Sequence, residues 1–110
     1  MEMKLLNSFS LGMIKNDTAL INMEVITANQ ASKMLKEKGI ESCVGHKDAA
    51  SLYSQILGTK VEFNRVTVEL ADCEMVIVGQ YTGPRLPEGC VKLPDGSSIK
   101  WILVDALLDV

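Results

Sequence analysis

Between Asp48 and Val78 the spacing of apolar residues changes period twice, and that change restricts the chain to folds that mix helix with sheet. Ala49, Leu52, Tyr53, Ile56 and Leu57 follow the i, i+3, i+4, i+7, i+8 spacing of an amphipathic helix that begins near Asp48 and stops at Gly58. Beyond Gly58, Val66, Val68 and Leu70 alternate with Thr67 and Glu69, which predicts a strand with one wet face. Met75 to Val78 is continuously apolar and predicts a buried strand.

The remaining segments extend this pattern. Met3 to Leu6 reads as a first strand, followed by the polar loop Asn7-Ser8-Phe9-Ser10, and Leu20 to Ile26 as a second. Thr27 offers a helix cap, with Gln30 three residues on to complete a capping box. Ala28, Ala31, Met34 and Leu35 then share one helical face up to Gly39, which supplies the glycine stop. Ile99 to Val104, with Trp101, reads as a last strand. The stretch Tyr81 to Gly89, with two prolines and two glycines, reads as an ordered but adjustable loop. The sum is one domain over residues 1–110, α/β or α+β, with a mixed sheet of about five strands flanked by two helices. A sheet this small invites completion by a homodimer.

Composition excludes several classes. Hydrophobic residues make up 47% and charged residues 23%, an ordinary globular balance. A net charge of -3 argues against coating duplex nucleic acid through a basic face, so an anionic ligand would need a few placed groups. Cys43, Cys73 and Cys90 form no CxxC pair and sit near no histidine cluster, so no metal site is expected. The start Met1-Glu2-Met3-Lys4 lacks an export-signal core and no apolar run spans a membrane, which predicts a cytoplasmic protein with no membrane partner.

Chemistry converges on few residues. His46 is the one histidine, at the junction of a loop and the second helix. Its imidazole is the side chain best suited to move protons near neutral pH, and a helix start attracts anions. A lone histidine at a helix start is more often just a polar cap. Arginine occurs twice: Arg85, in the proline-rich loop, suits bidentate phosphate contact or an ion pair with Glu88, and Arg65 heads the predicted 66–70 strand. Asn7, Ser8 and Ser10 form a polar loop at a strand end, a common ligand position and also a common turn. GxxxxGK, GxGxxG and GxSxG are absent, and the carboxylates are scattered rather than clustered for metals. What remains is metal-free phosphodiester chemistry, in which an RNA 2′-hydroxyl attacks its own phosphate and one acid protonates the departing 5′-oxygen.

Taken together, Asn7-Ser8-Phe9-Ser10, Gly45-His46 and Arg85-Leu86-Pro87-Glu88-Gly89 resemble the signature of the viral ring nucleases that act as anti-CRISPR proteins against type III systems, and the match runs essentially end to end. The resemblance implies a homodimer that binds cyclic tetra-adenylate. It also implies cleavage without metal or cofactor to linear di-adenylate with a 2′,3′-cyclic phosphate. Carried over by position, His46 is the general acid, Glu88 orients it, and Arg85 closes over the ligand to hold phosphate. Asn7, Ser10, Arg65 and Gln80 contact the ligand. The chain departs from the family at Asp48, where members with Ser or Thr use a hydroxyl on the ligand; here Asp48 is expected to cap the helix. A Gly83-Pro84 insertion also precedes Arg85. Two other classes compete: a dimeric sponge that sequesters the ring nucleotide uncut, and a viral regulator that binds DNA.

Overall fold

The computed structural model describes residues 2–89 and 92–110. Its elements run β1 (Met3–Leu6), β2 (Ala19–Ile26), α1 (Ala28–Lys38), β3 (Ile40–Cys43), α2 (Lys47–Leu57), β4 (Glu74–Thr82) and β5 (Ser98–Leu108), with one 3-10 turn at Leu11–Met13. The α1 start is built as its sequence dictates. Gln30 N donates to Thr27 Oγ1 at 3.0 Å, and Thr27 N donates to Gln30 Oε1 at 2.8 Å. Gly39 ends it with φ of 83°, a backbone conformation that L side chains resist.

The five strands form one mixed sheet in the order β2-β5-β4-β1-β3. β1 lies parallel to both β3 and β4, and β5 lies antiparallel to β4 and β2. The chain therefore leaves β3 on one side of β1 and returns to β4 on the other. The carboxyl ends of β3, β1 and β4 open side by side, the place where open sheets of this kind gather ligands.

Both helices pack on one face of the sheet, where Leu5, Ile77 and Trp101 meet Ala31 and Leu35 of α1 and Leu52 and Tyr53 of α2. The helices also tie to each other, Ser32 Oγ donating to Leu57 O at 2.6 Å. The opposite face, formed by Leu6, Val76, Val78, Ile102 and Val104, carries no helix. Loop residues Phe9, Met13, Val68 and Leu70 cover it. The expectation of a sheet flanked by helices thus holds for one face only.

The expected strand at 66–70 is replaced by extended chain. Its period of two is real, since Val68 and Leu70 are buried, but the segment lies flat across the sheet instead of joining it. Leu70 N accordingly donates to Met13 O of the neighbouring loop. The fifth strand is β3 instead. Its outer edge is sealed by residues 62–64, with Asn64 N donating to Val44 O at 2.8 Å and Ser42 Oγ to Glu62 O at 2.5 Å. β4 and β5 also run longer than the apolar cores that signalled them. Cys90 and Met1 lie outside the described residues. Among the described residues, no helix is long and apolar enough to cross a membrane.

Candidate functional site

Because β1 and β3 pair with Leu6 opposite Cys43, the next residues of both strands leave the sheet at the same level. Asn7 uses this position: its Oδ1 accepts the backbone N–H of Gly45 at 3.0 Å. His46 follows as the N-cap residue of α2, with extended backbone (φ -134°, ψ 128°) and an exposed side chain that makes no capping bond. The cap reading fails for the imidazole, which is left for other work. Asp48 lies in the first helical turn, two positions past the N-cap residue His46, so the expectation that it caps the helix is corrected: the helix starts at Lys47. A carboxylate there favours the helix dipole.

Arg65 joins from the strap that seals β3. A Cβ placed on Gly45 would lie 3.4 Å from Arg65 Cγ, so the aliphatic stem of Arg65 runs past Gly45, and the residue is exposed. Arg65 heads no strand, contrary to the sequence expectation. Gln80, near the end of β4, is exposed on the loop-covered face that Val76 and Val78 share. Its register partner across β5 is Lys100, an exposed cation that the sequence reading missed. The alternation of Lys100 with Ile99 and Trp101 could have signalled it, but only with the pairing known.

The structure brings Asn7 and Arg65 together at Gly45, the residue before His46, and sets Gln80 on the neighbouring strand end. Ser10 is exposed in the Asn7 loop, just before the 3-10 turn. Arg85 and Glu88 are exposed on the loop that leaves β4 at this same end of the sheet. Among the described residues, no ion pair joins Glu88 to His46 or to Arg85. The loop's root is fixed even so: Tyr81 Oη donates to Pro84 O at 2.5 Å, and Leu86 packs against the helix-side core. Gly83 is required there, because a Cβ would sit 2.5 Å from Ser97 Cβ.

Cys43, three residues before His46, is buried, and burial first and then Glu41 push its thiol above its ordinary range. It stays protonated and is unsuited to nucleophilic attack. Lys4 Nζ meets Glu74 Oε2 at 2.5 Å at the far end of the strands. A groove of about 560 Å³ opens there beside Lys38, Asp72 and Cys73, well away from His46.

A family model described as STIV B116-like matches residues 3–96. Among solved structures, B116 of Sulfolobus turreted icosahedral virus is similar, with a TM-score of 0.78 at 24% identity over 94% of this chain and 98% of that one. At that identity the likeness speaks for the fold. No curated protein matches the chain.

Proposed function

The chain belongs to the STIV B116-like family, and on that footing we propose that it is a metal-independent ring nuclease that binds cyclic tetra-adenylate as a homodimer and cuts it to linear di-adenylate. The observation that carries this reading is His46: the one imidazole of the chain, exposed, making no side-chain capping bond, and set at a helix start directly after Gly45, which Asn7 bonds and Arg65 flanks.

In the proposed step a ribose 2′-oxygen attacks the adjacent phosphorus in line, and its proton passes to solvent. The P–O2′ bond forms as the P–O5′ bond breaks. His46, as imidazolium, gives its proton to the departing 5′-oxygen, leaving a 2′,3′-cyclic phosphate and a free 5′-hydroxyl. Arg65 and the first-turn N–H groups of α2 face the phosphate charge. Arg85 and Glu88 act once their loop closes, Arg85 on phosphate and Glu88 on His46. Asn7, Ser10 and Gln80 hold the ring.

A two-fold partner would set a second His46 across the ligand, so that one imidazole per chain serves two opposite phosphates. Exposed Met23 and Val25, at 58% and 65%, support such a partner: strand alternation puts them on the same face of the sheet as Gln80. Incubation of the protein with cyclic tetra-adenylate in EDTA tests the reading. Linear product with a cyclic phosphate end is expected, and dependence on a divalent metal overturns the chemistry.

A second reading, the binding-only sponge, is favoured by one observation: among the described residues, no ion pair joins Glu88 to His46. Single-turnover assay with excess protein separates the two, because a sponge returns the ring intact.

A further inference from the structure

We propose that Tyr53 is a positioning residue for the candidate site: its hydroxyl, donating to the Gly79 carbonyl, ties the middle of α2 to the strand end that carries Gln80, and through the rigid helix sets His46 at its start. Tyr53 lies seven residues after His46, two turns along the same side of α2. Its side chain is fully buried and its hydroxyl donates to the carbonyl oxygen of Gly79. The ring meets Trp101 edge-on, with centroids 5.1 Å apart at 64°. Trp101 is in turn the register partner of Gly79.

Gly79 leaves no slack in this arrangement. A Cβ there would stand 2.8 Å from Trp101 Cζ3 and 3.0 Å from the Tyr53 ring. It is also the first residue of β4 beyond the pairing with β1, which ends at Leu6 opposite Val78, and it immediately precedes Gln80. Phenylalanine would fill the same space. The hydroxyl must be stripped of water to sit here, a cost its bond to Gly79 offsets, so what it adds is a directional tie rather than volume. That tie joins the two elements that present His46 and Gln80.

The catalytic part of this inference rests on the ring-nuclease reading; the structural part does not. The experiment compares the full-length wild type with Tyr53→Phe in three measurements. These are single-turnover cleavage of cyclic tetra-adenylate, equilibrium binding of the same ring, and NMR spectra of the His46 imidazole and the Gly45 amide. With one histidine, the imidazole signals need no assignment. Cleavage is expected to slow about 10- to 100-fold with affinity held within about two-fold, the signature of a displaced reacting group. The His46 and Gly45 signals are expected to shift or broaden. Leu57→Val, a small apolar truncation in the same helix, should lower the thermal midpoint without separating rate from affinity. In a wild type that cleaves, an unchanged rate in Tyr53→Phe overturns the proposal. In a wild type that does not cleave, the ring-nuclease reading fails, and the spectra decide: unchanged His46 and Gly45 signals overturn the positioning role, and shifted ones sustain it.

Discussion

The side chain of Asn7 accepts the backbone N–H of Gly45 at 3.0 Å, joining the loop after the first strand to the residue that precedes His46. Sequence separates the two by thirty-eight positions. The parallel pairing of β1 with β3 closes that distance.

Replacing Asn7 with Ala removes the acceptor and leaves the partly buried Gly45 N–H without it. A loss of about 1–3 kcal/mol is expected, the usual cost of an abandoned donor. Urea denaturation of the two proteins measures it, and a loss near zero would show that water replaces the amide. Cleavage should fall as well, since the same tie fixes the entry to α2.

His46→Ala should leave ring binding and stability close to wild type while lowering cleavage by on the order of 10²–10⁴, the range for losing a positioned acid. The fold has little stake in the imidazole, which is exposed and makes no capping bond. Calorimetric binding beside single-turnover kinetics checks both halves, and undiminished turnover would remove His46 from the mechanism.

Gly79→Ala forces a methyl group to within 2.8 Å of Trp101 and 3.0 Å of Tyr53. Overpacking of this kind costs about 1–3 kcal/mol, and here both neighbours are buried rings with no room to turn aside. A lowered thermal midpoint with perturbed Trp101 fluorescence is the expected result.

Stability should decline on the alkaline side. Burial pushes the Cys43 thiol and the Tyr53 phenol above their ordinary values of 9.0 and 10.0. The hydrogen bond to Glu74, outweighing partial burial, lifts Lys4 above 10.5. Each group binds its proton more tightly folded than unfolded. Its contribution is therefore complete below the ordinary value and is lost as pH rises through the folded one. Guanidinium denaturation from about pH 8 to about pH 11 should show the fall beginning near 9 and steepening past 10. In Tyr53→Phe the part that starts near 10 should vanish.

Local chemistry made α1 legible in full, because Thr27, Gln30 and Gly39 interact within the segment they delimit. α2 was equally clear from its apolar spacing. The 66–70 segment misled because alternation reports only that every second side chain is buried. It does not say whether the backbone hydrogen bonds run to a neighbouring strand or to a loop such as Met13. β3 was missed for the opposite reason: four residues with a mixed burial pattern carry too little periodicity to stand out. For the site, His46 and Asn7 could be singled out by residue type and position, whereas their proximity needed the parallel register. Lys100 was invisible until β5 was paired with β4.

The uncapped start of α2 has an evolutionary corollary. Since the backbone of residue 46 shapes the helix entry while its exposed ring makes no capping bond, one codon change would erase proton donation with little penalty in folding. Descendants of such a chain would persist as scavengers of the same messenger, so inactive siblings of this protein should arise readily and endure wherever capture alone protects their carrier.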